Sequence, residues 1–283
     1  MSVPGCLVVF VRSDDEPAAH WPLVSTSVRA LFEALGDEPK RIWATTPAGR
    51  SGRERAFSWP TMDSLAADTN TGTVSTMGLR ERPNAMDLSL YLRHNPTLRV
   101  RRQGPAGLWA AVELSRDWPN VERFADAARA FLRECARGLA VVHGGVTVLE
   151  NQWQAVGEVA GTWIEVEKQP ERFQRRMEGD RIAKATRLRD RCPRLYWTTL
   201  LGPGLAAAAG GAEAARIAGG RDVREVAGSL VFQATDGPPQ DSLDPEFLAA
   251  TAKLRRWLWP HTFQNPLDAA GFEDEVGAPR PTV

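Results

Sequence analysis

The sequence predicts an α+β fold in which helices pack on a largely antiparallel sheet. Three observations carry that expectation. A continuous apolar run, Cys6-Leu7-Val8-Val9-Phe10-Val11, is followed by apolar residues at helical spacing. A strand-helix-strand pattern then occupies Leu108 to Leu149, and a second unit of the same kind occupies Tyr196 to Ala234. β-Branched and aromatic runs bounded by turn formers mark strands, whereas apolar steps of three and four mark helices.

Taken in chain order, Cys6 to Val11 has the pattern of a strand buried on both faces, ended by Ser13-Asp14-Asp15-Glu16-Pro17. Val24, Val28, Leu31 and Leu35 then line one helix face, and Gly36 stops the helix. From residue 37 to 105 the chain is rich in Pro, Arg and Thr, with short apolar pieces around Trp43 and from Leu88 to Leu92. Strands joined by long loops are expected there. Leu108 to Leu114 reads as a strand, Trp118-Pro119 as a turn, and Asn120 as the N-cap of the next helix. Val121, Phe124, Ala128, Phe131 and Cys135 form the apolar face of that helix, and Gly138 ends it. Leu139 to Leu149 returns as a strand interrupted by Gly144-Gly145.

Glu165 to Arg191 is highly charged, with Phe173, Met177, Ile182 and Leu188 as its apolar anchors, and reads as an exposed helical connector. Tyr196 to Leu201 is a short strand that ends at Gly202-Pro203-Gly204 and leads into an Ala-rich helix. Val226 to Ala234 is the returning strand. The last helix begins with Asp244 as N-cap and Pro245 at the first helical position, a favoured arrangement. Phe247, Leu248, Thr251, Leu254 and Leu258 face the core, and Trp259-Pro260 ends the helix. Periodicity is lost from Asn265 onward. The expected organisation is one α+β domain over residues 1–262 and a flexible C-terminal tail over 263–283.

Composition narrows the function classes. The 283 residues are 43% hydrophobic and 25% charged, the balance of a globular chain with a core of its own. Lys plus Arg equals Asp plus Glu, 35 against 35, so no global field draws the protein to nucleic acid or to an acidic membrane. Neither is an expected partner. Cys6, Cys135 and Cys192 include no Cys-x-x-Cys pair, which argues against a zinc site and a disulfide framework. Cys6 to Val11 is too short for a signal-peptide core, and no run approaches the roughly 18 apolar residues of a membrane helix. A cytoplasmic location is expected.

No catalytic motif stands out. His143-Gly144-Gly145 is like the oxyanion loop of some esterases, yet no serine has the Gly-x-Ser-x-Gly context that chemistry requires. A histidine inside an apolar strand is more often a packed core residue. His20, His94 and His261 are isolated, and Asp14-Asp15-Glu16 lacks a surrounding calcium loop. Gly202-x-Gly204, Gly210-Gly211 and Gly219-Gly220 fit no phosphate-binding fingerprint and are read as helix terminators. No metal, cofactor or catalytic residue is expected. Arg172, Arg175 and Arg176 open an arginine-dense stretch, but Glu171, Glu178, Asp180 and Asp190 are interleaved with it. A solvated or protein-binding face fits that mixture better than a nucleic-acid site. Of the ten tryptophans, Trp43, Trp59 and Trp118 lie in Pro- or Arg-flanked polar segments and are candidates for exposure. Exposed tryptophan beside arginine is the composition of interface hot spots. The candidate partner-binding residues are therefore Trp43, Trp59, Trp118, Arg172, Arg175 and Arg176.

The segment Cys192 to Gly211 combines Trp197, Leu201, the Gly202-Pro203-Gly204 turn, Leu205 and Gly210-Gly211. It resembles a "Trp-x-x-x-Leu, turn, Leu, Gly-Gly" signature of the type VI secretion immunity family, formerly a domain of unknown function. The resemblance extends over roughly residues 5 to 262 through the first strand and helix, the Ala140-to-Leu149 strand, Gly237-Pro238-Pro239 and the closing Leu258-Trp259-Pro260. Tyr196 stands where that family more often has asparagine. The resemblance implies a cytoplasmic antidote that binds a cognate effector toxin encoded nearby, nucleases being among such toxins, and that needs no catalytic residue of its own. Two other classes stay open. One is a small enzyme with a dispersed active site around His143, and the other is a secretion-apparatus adaptor that docks through Arg172 to Arg194.

Overall fold

The computed structural model describes residues 6–13, 21–35, 41–45, 55–70, 76–80, 88–93, 106–113, 121–149, 192, 195–237, 239 and 245–262. The N-terminal half runs β1 (Cys6–Ser13), α1 (Trp21–Leu35), β2 (Arg41–Thr45), β3 (Arg55–Ala56), α2 (Trp59–Asn70), β4 (Thr76–Arg80), β5 (Leu88–Arg93) and β6 (Ala106–Glu113). There follow α3 (Val121–Gly138), β7 (Val141–Leu149), β8 (Thr198–Leu201), α4 (Pro203–Ala208), α5 (Gly211–Ile217), β9 (Arg221–Val226) and β10 (Ser229–Gln233). Two short helices close the described chain, α6 (Pro245–Ala250) and α7 (Ala252–Leu258), followed by a 3₁₀ turn, Trp259–His261.

Among the described residues the strands form one sheet in the order β3-β2-β4-β5-β6-β1-β7-β8-β10-β9, and every ladder in it is antiparallel. The fold is α+β, as the sequence predicts. β1 is central because its apolar run can be buried on both faces. Val9 stands opposite Ala110 of β6 and Val146 of β7. Since β6 and β7 both run antiparallel to β1, they are parallel to each other, and α3 carries the chain over the inserted strand. The second unit repeats that arrangement, with β8 and β9 flanking β10 and α4 and α5 making the crossover. Both strand-helix-strand units therefore exist, and each is split by a third strand.

α3 packs against β1 and β7 and holds α1 beside it. Phe124, Ala128, Phe131 and Cys135 are buried on its inner face, as their spacing requires. They join Leu7, Val9 and Val11 of β1 and Val28 and Leu31 of α1 in one core. Arg129–Asp126 and Arg137–Glu134 pair three residues apart along it, and Arg129 also lies over the ring of Trp197.

Three expectations are corrected. The single closing helix expected from Pro245 to Leu258 is broken at Thr251 (φ −100°, ψ 4°) into α6 and α7. Residues 37–105 hold a helix, α2, as well as strands. The strand expected over Val226 to Ala234 is a hairpin instead: Ala227 (φ 49°) and Gly228 (φ 78°) turn the chain between β9 and β10. Positive φ at both turn residues matches the twist of the flanking strands. The charged half of this hairpin, Arg221 to Val226, has too little apolar character to register as a strand. The Glu165–Arg191 connector and the 263–283 tail lie outside the described residues.

The Trp197-to-Gly211 signature acquires a structural meaning. Trp197 is buried and its Nε1 donates to the Thr235 carbonyl at 2.9 Å, while Ala234 N–H donates to the Trp197 carbonyl at 2.7 Å. β8 is thereby tied to the end of β10. At the other end of β8, Gly202 N–H donates to the Val142 carbonyl at 2.9 Å. A β-carbon on Gly202 would overlap the Val141 carbonyl, so glycine is required by close approach of two backbones. Gly219 and Gly220 close α5 with bonds to the carbonyls of Arg216 and Ala215, the Schellman pattern.

Candidate interaction surface

Trp59 is the candidate whose side chain the structure describes, and it lies at the start of α2. That helix begins where it does because Ser58 caps it. Ser58 Oγ accepts from Thr61 N–H at 3.3 Å, and Pro60 is tolerated in the first turn, where no i−4 acceptor is needed. Met62 and Leu65 point into the core and anchor the helix. Trp59 is left half-buried, edge-on to Phe57 with ring centroids 5.0 Å apart.

Over the indole of Trp59 lies Arg29 of α1, its guanidinium carbon 4.5 Å from the ring centroid. Arg29 Nη2 is also 3.7 Å from Asp63 Oδ2, and their side chains are 43% and 46% exposed. That separation is an ion pair without a hydrogen bond. The carboxylate is fixed from its other side, because Trp21 Nε1 donates to Asp63 Oδ1 at 2.6 Å. Trp21 and Arg29 on α1 thus meet Trp59 and Asp63, one turn apart on α2. The cation–π contact contributes about 0.5–1 kcal/mol at such exposure, and the ion pair about 1 kcal/mol or less. Together they favour a guanidinium that lies over the indole at the surface.

The other candidates do not converge on this point. Trp43 is in β2 opposite Gly78, and its side chain is outside the description. Trp118, Arg172, Arg175 and Arg176 lie outside the described residues. Sequence reasoning missed Trp21, Arg29 and Asp63. The available signal was Ser58-Trp59-Pro60 followed by Met62 and Leu65 at helical spacing, which places Asp63 one turn after Trp59.

His143, the centre of the enzyme alternative, is fully buried in β7. It pairs in register with Arg12 of β1, also fully buried, and Phe10 meets it edge-on at 6.1 Å. Tyr196 stacks edge-on against Phe10 at 4.8 Å, and its ring fills the space that a side chain at Gly145 would need. This is the packing of a core histidine. His261 is half-buried in the 3₁₀ turn, and its carbonyl accepts from Cys192 N–H at 2.9 Å. No group of three His, Cys, Asp or Glu residues suited to a metal occurs among the described residues. Burial, reinforced by Glu134, pushes the Cys135 thiol well above its ordinary range, so it stays protonated and inert.

A second polar surface is the sheet edge at β9. Arg221 pairs with Asp236, and Arg224 Nε donates to Asp222 at 2.8 Å. The hydrogen bond to Asp236 raises the pKa of Arg221. Asp222 adopts φ 43° at a bulge opposite Phe232. Charge and a bulge are how edge strands avoid indiscriminate pairing. Ile217, 63% exposed, stands at the end of the neighbouring α5.

The arrangement defines an α+β protein with a preorganised aromatic–arginine surface and a guarded sheet edge. Its fold is similar to that of a solved structure from Pseudomonas aeruginosa, the T6SS protein PA0821, with a TM-score of 0.61 and 15% identity over 96% of this chain and 83% of that one. At that identity the likeness speaks for the fold. No protein-family model matches the chain, and no curated protein matches it significantly. No helix among the described residues is long and apolar enough to cross a membrane.

Proposed function

We propose that this chain is an immunity protein, acting in the cytoplasm of its producer, that binds a cognate type VI secretion effector and occludes it. The observation that carries this reading is the fold likeness to a type VI secretion protein over 96% of the chain. It is supported by the independent resemblance of the Cys192-to-Gly211 segment. A binding role needs a rigid scaffold with a few fixed side chains at its surface, and the Trp59–Arg29 cluster has that character. Full burial of His143 among Phe10 and Tyr196 weighs against a catalytic centre there.

The test is co-expression of this chain with the product of the neighbouring gene in a sensitive host. Survival together with co-purification of a stable complex is expected. A neighbouring product that kills the host in the presence of this chain, without binding it, would end the proposal for that pair.

A further inference from the structure

Resting on the immunity reading, we propose that Arg29, stacked on Trp59, is the receptor for a carboxylate on the effector protein, and that these two residues form the centre of the interface. Arginine normally loses much rotamer freedom when it joins an interface. Here part of that loss is already incurred, because the guanidinium carbon rests 4.5 Å from the centroid of the Trp59 ring. Asp63 does not consume its donors. It stands at 3.7 Å, and among the described residues Arg29 donates no hydrogen bond. Trp21, by binding Asp63 at 2.6 Å, keeps that carboxylate from swinging closer.

The result is a permanently charged guanidinium, 43% exposed, placed over an aromatic ring. The guanidinium fork matches a carboxylate bidentately. Phe57 and Trp59 beside it supply half-buried aromatic surface that a partner would dehydrate around the ion pair, the arrangement in which such a pair gains most. A phosphate has similar acceptor chemistry. The even balance of 35 basic and 35 acidic residues gives the chain no general attraction to a polyanion, which favours a protein carboxylate.

The experiment uses the full chain and a catalytically inactive form of the neighbouring gene's product, with affinity read by calorimetry. Arg29→Ala and Trp59→Ala are each expected to weaken binding about 30- to 100-fold. Arg29→Lys, which keeps the charge and loses the fork, stays at least about tenfold weaker than wild type. Arg224→Ala at the β9 edge stays within about twofold. Circular dichroism on each variant separates lost contact from lost fold, and Arg29→Lys remains informative if Trp59→Ala fails to fold. A double-mutant cycle between Arg29→Ala and alanine variants of the effector's acidic residues is expected to find one that couples to Arg29 by about tenfold or more. Wild-type binding that survives Arg29→Ala within threefold, or a cycle with no coupled acid, would overturn this inference and leave the immunity reading standing. Failure of the wild type to bind would remove both. Binding of a mixed-sequence RNA duplex that depends on Arg29, without such dependence for the effector, would reassign the site to phosphate.

Discussion

The α1–α2 corner and the β9 edge both display arginines, and they use them in opposite ways. At β9 each arginine meets a carboxylate of its own chain, Arg221 with Asp236 and Arg224 with Asp222, and the bulge at Asp222 bends the strand out of regular pairing. At the corner Arg29 lies on Trp59 and faces a carboxylate that another residue already holds. The first arrangement neutralises a surface that would otherwise pair without discrimination. The second places a half-exposed charge over an aromatic ring, with its neighbouring carboxylate at 3.7 Å. An exposed arginine is therefore informative only through what it touches.

Experiments that break or sharpen this contrast differ in expected size. The largest is Gly202→Ala. A β-carbon there meets the Val141 carbonyl and removes the fit between β7 and the start of α4. Denaturant unfolding should show a loss of more than about 3 kcal/mol. Effector affinity per folded molecule should not change if the corner is the binding region. Next come Arg29→Ala and Trp59→Ala, with the 30- to 100-fold losses of affinity described above against almost none for Arg224→Ala. Trp21→Phe removes the donor to Asp63 while keeping an aromatic ring in the core. It should cost about 1 kcal/mol in stability by urea titration, and a several-fold weaker complex would show that fixing Asp63 matters for Arg29.

Smaller effects test the hairpin. Ala227 has φ 49°, a conformation that favours asparagine or glycine over alanine. Ala227→Asn creates the Asn-Gly pair preferred in such turns and should raise stability by about 0.5–1 kcal/mol, read as a higher Tm in calorimetry. Smallest of all, Arg221→Ala should leave the urea midpoint within measurement scatter, because Arg221 and Asp236 are both well exposed. A clear drop would mean that the β9 edge is held by its charges rather than by its ladder to β10.

Much of the fold was legible because its signals are local. The α3 helix follows from Phe124, Ala128, Phe131 and Cys135 at helical steps, and all four are buried. α1 runs from Trp21 to Leu35, ending before the Gly36 stop signal. β9 was not legible, because an edge strand with two exposed faces needs no apolar alternation. α2 was hidden by weak amphipathicity within a Pro- and Arg-rich region, although its capping serine was in plain view. Of the candidate site, Trp59 was chosen for its polar flanks. Its arginine lies thirty positions earlier on another helix, a separation no local pattern reports.

Sequence by itself determined the α+β class, the central strand at Cys6 to Val11, the first strand-helix-strand unit and the turn at Gly202-Pro203-Gly204 that ends β8. These depend on apolar periodicity and on backbone geometry, which act over a few residues. Tertiary structure alone decided that each unit is split by an inserted strand, that Trp197 ties β8 to the end of β10, and that Arg29 is carried onto Trp59 with Asp63 held by Trp21. Those outcomes depend on which surfaces meet once the core is buried, and burial is a property of the whole chain.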